Sequence, residues 1–191
     1  MAEVRPILLE LPDQLVGERV VLRPWRESDA AAFYALIVAS REHIQRWLPW
    51  PEQYHSVDDA RAFLRRQAGL WMLRENFTFG IFDASETLLG SVGLHPQNPQ
   101  IPSFEIGYWL GAAFERKGYM TEAVNLVTRL ALDVIQARRV YIRCDAANER
   151  SAKVARRCGF VYEGTHRSDN LDPDGRLTDT MFFARVLGDR G

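Results

Sequence analysis

The chain has 191 residues, of which 47% are hydrophobic and 26% are charged, a balance typical of folded globular proteins and not of disordered ones. A formal net charge of −1 argues against a global attraction to nucleic acid or to an anionic membrane, so any anion site must be local. The chain has only two cysteines, which favours a cytoplasmic protein without disulfides. Its four histidines fall in no cluster with metal-ligand spacing, so we expect no metal centre. No apolar segment is long enough to predict a transmembrane helix.

Hydrophobic patterns predict a chain in which helices are inserted between strands. The N-terminal part is predicted to contain a strand, two short helical segments and a longer helix, over residues 19–25, 30–38, 40–46 and 56–74. Three strands with short turns are predicted next, over 77–83, 88–94 and 104–110. The remainder is predicted as a periodic helix, a strand, a short helix and two strands, over 120–134, 139–145, 149–158, 160–165 and 178–186. We expect one α/β domain over residues 1–191, with its core from about 17 to 186.

The most informative segment is the loop from Glu115 to Val124, which follows a strand and opens the periodic helix. Arg116, Lys117 and Gly118 stand at the start of that helix, where unpaired N–H groups and a partial positive charge favour anions. The segment therefore predicts a phosphate cradle. It matches neither the Walker loop nor the dinucleotide-binding G-x-G-x-x-G motif, and an ordinary solvated turn is an equal alternative when the loop is considered alone.

Three motifs follow one another in a fixed order: FEIGYWL at 104–110, KGYMTEA at 117–123, and Asn148-x-x-Ser151 followed by Gly159-Phe160. Together they resemble the GNAT superfamily of N-acetyltransferases, and within it the RimJ/RimL-like branch that acetylates ribosomal-protein N-termini. The resemblance extends over residues 17–186, roughly. It implies an α/β (α+β) fold with a mixed, mostly antiparallel sheet of about seven strands, splayed at the fourth strand and flanked by helices. It also implies acetyl-CoA as co-substrate in that opening, with no metal.

The resemblance assigns the contacts to the co-substrate. The backbone of Trp109 and Leu110 pairs with the pantetheine arm in the manner of an added strand, and Asn148 contacts the same arm. Backbone N–H groups of the loop hold the pyrophosphate, namely those of Arg116, Lys117, Gly118, Tyr119, Met120 and Thr121. Glu115 and Met120 depart from the broad family signature. Because a glutamate facing a pyrophosphate would be repulsive, we expect Glu115 to point to solvent.

Acetyl transfer to an amine needs a base for the amine and an acid for the departing thiolate. Glu105 is the candidate base because it precedes the splay point on the cofactor-facing strand, and a surface carboxylate on a half-exposed strand is the alternative. Strand alternation puts Glu105 on one face with Gly107 and Trp109, and the intervening residues on the other. Relatives often carry a tyrosine acid one turn along the next helix, but Ala155 stands there, so Ser151 is the candidate acid. Capping alone would explain Asn148.

The acceptor site is predicted to be walled by Trp47 and Trp50, which lie in a stiff Trp-Pro-rich loop, and by His95, which follows the strand over 88–94. The leading hypothesis is an N-acetyltransferase that moves an acetyl group directly, in a ternary complex, to a protein N-terminal α-amine. The alternatives are a small amine such as a polyamine, an amino acid or an aminoglycoside, and a catalytically silent acyl-CoA-binding module. A homodimer is also compatible with the resemblance.

Overall fold

Eight strands form one mixed sheet in the part of the chain that the computed structural model describes, residues 6–98 and 101–188. In chain order they are β1 (Leu15–Val16), β2 (Val21–Pro24), β3 (Phe77–Phe82), β4 (Leu88–Asn98), β5 (Ser103–Leu110), β6 (Arg139–Asp145), β7 (Val161–Leu171) and β8 (Leu177–Val186). Their spatial order is β1-β2-β3-β4-β5-β6-β8-β7. Every neighbouring pair is antiparallel except β5 and β6, which are parallel.

The α-helices of the described residues are α1 (Ala30–Gln45), α2 (Val57–Met72), α3 (Tyr119–Arg129) and α4 (Glu149–Arg157). A π-helical turn, Leu130–Val134, continues α3. Short 3-10 turns stand before α1 and α2 and after β5. None of these helices is both long and apolar enough to cross a membrane.

The parallel pair β5–β6 separates along its length. Ser103, Phe104 and Glu105 pair with the first three residues of β6, and the register ends at the Glu105–Tyr141 pair. Beyond that point the facing edges of the two strands have lost the partner that a sheet normally supplies, so their backbone groups are available to a ligand. The predicted splay is therefore confirmed, and it lies beside the fifth strand because a short additional strand, β1, precedes those predicted.

The buried apolar residues of the described ranges form two clusters. The larger one joins the sheet to α3 and α4, with Phe79, Ile106 and Val124 among its most buried members. The smaller one lies among α1, α2 and the loop before α2, centred on Trp25 and Phe33. β3 is buried along its whole length, whereas nearly all of β7 is exposed. The sheet is therefore covered most completely on the β1–β5 side of the opening.

Most predicted elements are confirmed, and the differences have identifiable causes. The two helical segments predicted over 30–46 form the single helix α1. Ser40 is buried in the middle of it, and its Oγ accepts a hydrogen bond from the N–H of Ala112 at 3.1 Å. The polar position that interrupted the apolar pattern therefore ties α1 to the loop after β5. β4 and β7 also run further than predicted, to Asn98 and Leu171.

Candidate functional site

A cleft of about 750 Å³ opens where β5 and β6 separate, a size common for small-molecule sites. Its walls come from the free ends of both strands, the end of α1 and the loop at 46–48, the beginning of α3, one face of α4 and the hairpin tip at 170–174. Each sequence-predicted site residue can be placed relative to it. Those that line it are Trp47, Glu105, Trp109, Leu110, Arg116, Met120, Asn148 and Ser151. Those that lie behind or beside its lining are Trp50, His95, Lys117, Gly118, Tyr119 and Thr121.

Glu105 lies at the last position where β5 pairs with β6, with its side chain 18% exposed. Its Oε1 accepts a hydrogen bond from Arg143 Nε at 2.9 Å, and its Oε2 accepts one from the Tyr141 hydroxyl at 3.4 Å. Both partners stand on β6, on the face that Glu105 shares. A carboxylate held by two donors at the mouth of an opening has a fixed direction, and it can accept a proton from a group in the cleft directly or through water.

On the opposite side of β5, Tyr108 meets Ser151 of α4. The two hydroxyl oxygens share a hydrogen bond of 2.8 Å, and the Tyr108 hydroxyl also donates to the Ser151 carbonyl at 3.2 Å. Burial raises the pKa of Tyr108, only partly offset by the bond to Ser151, so the phenol stays protonated at neutral pH. Sequence reasoning placed Tyr108 on this face but gave it no role. No local pattern could have paired Tyr108 with Ser151, because the two residues are 43 positions apart in the chain and meet only in the folded structure.

The loop before α3 has the geometry of an anion site. Arg116 and Gly118 have positive φ angles, 62° and 82°, and Gly118 is the N-cap of α3. The first bond that closes onto the helix runs from the Glu122 N–H to the Gly118 carbonyl at 3.1 Å. The N–H groups of residues 119–121 consequently have no acceptor inside the helix. Because Arg116 and Met120 line the cleft, these N–H groups stand at its edge.

Arg19, from the turn before β2, braces this loop from outside. Its NH1 donates to the Lys117 carbonyl at 2.8 Å and its Nε to Glu122 Oε2 at 3.0 Å, while its backbone N–H donates to Glu122 Oε1 at 2.8 Å. A Cβ atom on Gly118 would lie 2.8 Å from Arg19 NH1. Gly118 therefore suits the left-handed backbone at this position, and a side chain there would also displace the guanidinium of Arg19 from its bonds. We call Arg19, the Lys117 carbonyl and Glu122 the loop brace.

Glu115 does not point to solvent, so that expectation is wrong. Its Oε2 accepts a hydrogen bond from Arg150 NH1 at 2.6 Å, and its Oε1 lies 3.3 Å from His43 Nε2. All three residues line the cleft and belong to three different elements. Arg150 of α4 supplies the compensation that solvent was expected to supply, since an opposite charge within hydrogen-bonding distance stabilises a carboxylate.

Aromatic side chains occupy the α1 side of the opening. Trp50 packs against Trp109 with ring centroids 5.4 Å apart, and Trp109 meets Phe33 edge to face at 5.9 Å. Trp47 lines the cleft directly, with Arg46 over its ring at 5.3 Å. Trp50 therefore supports Trp109 from behind, and Trp47 with Trp109 forms the wall.

His95 lies beside Glu105 in the sheet, on β4, and not on the cleft wall. Its Nδ1 is 2.9 Å from Asn76 Oδ1, and the Asn76 amide in turn donates to Gln67 Oε1 at 3.0 Å. Burial lowers the pKa of His95, against an opposing effect of Glu105. The imidazole is therefore neutral at pH 7, with Nδ1 as donor and Nε2 directed at the backbone of Gly93 and Gly107.

Residues 19–161 match the sequence model of the acetyltransferase (GNAT) domain family. The chain belongs to this family. It is 27% identical to the ribosomal-protein-serine acetyltransferase of Escherichia coli, with 90% of this chain and 95% of the relative covered. It is likewise 27% identical to that organism's ribosomal protein uS5 alanine N-acetyltransferase, with 92% of each chain covered. Among solved structures, the ribosomal-protein α-N-acetyltransferase RimL in complex with coenzyme A matches with a TM-score of 0.84 and 26% identity, covering 90% of this chain and 96% of that one.

Family membership makes the chain an acetyl-CoA-dependent N-acetyltransferase, and the residues of the cleft fit this co-substrate. Free N–H groups at the start of α3 suit a phosphate, and the unpaired edges of β5 and β6 suit the amides of a pantetheine arm. Tyr108 and Ser151, whose hydroxyls share a hydrogen bond, line the same cleft. The described residues contain no cluster of side chains that could hold a metal ion.

Proposed function

We propose that this GNAT domain acetylates the α-amine of a protein N-terminus by direct transfer from acetyl-CoA in a ternary complex. The observation that carries the proposal is the arrangement around β5. A carboxylate, Glu105, faces one side of the opening, and two hydroxyls, Tyr108 and Ser151, face the other. A base and an acid that flank one opening suit a single-step exchange of a thiolate for an amine.

In this mechanism Glu105 accepts a proton from the incoming ammonium, directly or through one water. The amine nitrogen then bonds to the thioester carbonyl carbon, and the carbon–sulfur bond breaks as the electron pair leaves with sulfur. The hydroxyl pair donates hydrogen bonds to the developing thiolate and gives the sulfur a proton. The second proton that the nitrogen loses as the amide forms restores the hydroxyl pair, and the proton held by Glu105 is released to solvent. The N–H groups of residues 119–121 hold the phosphates, with Gly118 allowing their close approach.

A chain end suits the side of the cleft that is lined by Trp47 and the hairpin tip at 170–174. Four of the five residues of that tip are exposed, so an extended peptide can approach from there, amine first. Relatives at about this level of identity are named for acetylating ribosomal proteins at serine and alanine. We infer that this chain likewise acts on a protein N-terminus.

The test is a thiol-release assay with acetyl-CoA across matched acceptors. One set contains peptides that begin with free alanine or serine, and the second contains the same peptides with a blocked α-amine and a free lysine. The third contains polyamines, amino acids and aminoglycosides. We expect release only with the first set, with mass spectrometry placing the acetyl group on the α-nitrogen. Release with the third set alone would overturn the acceptor, and binding of acetyl-CoA without release on any acceptor would overturn the catalytic assignment.

A further inference from the structure

Two threonine hydroxyls of β8 are buried in the lining of the cleft without a hydrogen-bond partner. Thr178 and Thr180 both line the cleft, and each Oγ1 atom is shielded from solvent and has no partner among the described residues. A hydroxyl in this state costs free energy, because folding has removed its water and has supplied no other partner. A ligand that enters the cleft and bonds to the hydroxyl removes that cost.

The other buried threonines of the described residues, which do not line the cleft, have partners. The Thr128 hydroxyl donates to the Val124 carbonyl at 2.7 Å, and the Thr78 hydroxyl donates to Gln67 Oε1 at 3.1 Å. One further buried side-chain atom of the described residues has no partner, Trp25 Nε1, and it lies in the smaller apolar cluster. Buried hydroxyls without a partner thus occur only among the threonines that face the cleft.

The spacing of the two hydroxyls matches the repeat of an extended peptide. Thr180 pairs with Asp145 at the end of β6, which also lines the cleft, and Thr178 stands two residues nearer the hairpin tip. Alternate residues of a strand point to one face, and at about 3.3 Å per residue the two side chains stand about 7 Å apart. In an extended peptide, backbone groups of one orientation recur at the same interval. A peptide that lies along β8 can therefore meet both hydroxyls with equivalent backbone groups.

The sheet register also gives the distance from the proposed base. Glu105 pairs with Tyr141, Tyr141 pairs with Ala184, and Thr180 lies four residues along β8 from Ala184 on the same face. At about 3.3 Å per residue and about 4.8 Å between strands, the Cα atoms of Glu105 and Thr180 are roughly 16 Å apart. A peptide whose α-amine lies at Glu105 covers that distance with about four or five extended residues. The hydroxyls therefore meet the acceptor well behind its first residue.

We propose that Thr178 and Thr180 bind the main chain of an extended acceptor peptide several residues after its α-amine, so that the enzyme favours acceptors above a minimum length. The inference rests on the function proposed above. Because the hydroxyls bond to backbone groups, they favour a polypeptide over a small amine without selecting its sequence. A dipeptide whose amine lies at Glu105 is too short to reach them.

The experiment compares the acetylation of a dipeptide amide and of an octapeptide that begins with the same two residues, using the full-length protein. The variant carries Thr178→Val and Thr180→Val together, which keeps the shape of both side chains and removes both hydroxyls. Its KM for the octapeptide should rise about tenfold with kcat unchanged, the loss expected for two neutral hydrogen bonds that contribute only to binding. Its KM for the dipeptide should change less than twofold. The urea midpoint should not fall, because the free protein loses no hydrogen bond.

Thr128→Val is the matched control, since it removes a buried hydroxyl that already has a partner and does not line the cleft. It should lower the urea midpoint and leave both KM values unchanged. An unchanged KM for the octapeptide in the double variant, or an equal rise for both peptides, would overturn the proposed contact while leaving peptide acetylation intact. A lower urea midpoint in the double variant would also overturn it, because the hydroxyls would then have partners within the protein. Acetylation of neither peptide by the wild type would overturn the proposed function itself.

Discussion

The proposed donor side of the cleft is made by the loop before α3 (115–118), α3 and α4, and the proposed acceptor side by the loop at 46–53 and the β7–β8 hairpin. The two sides, called below the donor side and the acceptor side, are held in different ways. Polar bonds between distant elements hold the donor side: the loop brace, the Tyr108–Ser151 pair and the Glu115–Arg150 ion pair. The acceptor side is held by aromatic packing and by polar bonds between residues close together in the chain. Arg41 NH2 of α1 donates to the Tyr54 carbonyl at 2.7 Å, and within the hairpin the Gly175 N–H donates to the Asp172 carbonyl at 2.9 Å.

The difference follows from what each side must recognise. A phosphate or a thiolate is stabilised only by donors in fixed positions, so the donor backbone is tied down at several points. Aromatic walls recognise shape and apolar area, and they tolerate variation in what they contact. On the acceptor side even two cleft-lining hydroxyls, those of Thr178 and Thr180, are buried without a partner among the described residues. Substitutions on the donor side should therefore change the affinity for acetyl-CoA or the rate of acetyl transfer, whichever acceptor is used.

The largest effect is expected from Glu105→Gln, which keeps the size of the side chain and removes its ability to accept a proton. The turnover number kcat should fall by about 10²- to 10⁴-fold, the usual range for loss of a general base. The matched control is Glu163→Gln, a carboxylate that is ion-paired to Arg139 and does not line the cleft. Steady-state rates between pH 6 and 9 provide the measurement. If the pH–rate profile of Glu105→Gln matched that of the wild type, Glu105 would have no part in proton transfer.

The next effect concerns the hydroxyl pair. Tyr108→Phe and Ser151→Ala should each lower kcat by about 10²-fold, the lower end of the range for a proton-transfer group. Because the two hydroxyls share one hydrogen bond of 2.8 Å, they act as a unit, and the double variant should be little slower than either single one. The dissociation constant for acetyl-CoA should change much less than kcat. Strictly additive losses would show that the hydroxyls act independently.

A feature of this site can be predicted from the sequence when the residues that form it lie close together in the chain. The turn into α3 could be predicted because its glycine and the periodicity of the helix lie within some 20 residues. The place of Glu105 beside the opening agrees with strand alternation and the family resemblance, and its role as base stays a prediction. The local turn at Gly159, with φ of 75°, likewise agrees with the predicted end of α4.

The features that could not be predicted join residues far apart in the chain. Arg19 and Lys117 are separated by 98 positions and Glu115 and Arg150 by 35, and no local pattern indicates which charged residues will meet. The same holds for His95, whose cross-strand partner Glu105 and whose bond to Asn76 follow only from the sheet register. Local propensities thus predict the elements, whereas pairing between elements requires the folded arrangement.

A smaller effect, on the affinity for acetyl-CoA, is expected from Gly118→Ala. Comparison with a second glycine of positive φ separates the contribution of the loop brace from that of backbone strain. The matched control is Gly159→Ala, because Gly159 also has a positive φ of 75° but has open space around its Cα. Both variants should lose about 1 to 2 kcal/mol of unfolding free energy, the cost of a left-handed alanine. Only Gly118→Ala should also weaken acetyl-CoA, by about tenfold, since its Cβ would displace Arg19 and with it the loop. Equal affinities in the two variants would remove the brace from the binding site.

The smallest effect is the contribution of Glu122 to acid stability. Burial raises the pKa of Glu122, but the hydrogen bonds from Arg19 more than offset this and leave the pKa below its ordinary value of 4.5. A group whose pKa is lower in the folded state binds more protons when unfolded, so its stabilisation is complete above about pH 5 and is lost as the pH falls through the folded pKa. Because the Arg19 side chain is 49% exposed, solvent limits the contribution to below about 1 kcal/mol.

Urea unfolding between pH 7 and pH 3 measures this contribution. Glu122→Gln should reduce the unfolding free energy at pH 7 and flatten its decline below pH 5, whereas Glu149→Gln, at a side chain 77% exposed, should leave the curve unchanged. If the loop brace also holds the loop before α3 in the conformation that binds phosphate, Glu122→Gln should lower the affinity for acetyl-CoA at pH 7, whereas Gly159→Ala should not. An unaltered acid limb together with wild-type affinity would mean that the bonds between Arg19 and Glu122 hold neither the fold nor the donor side of the cleft.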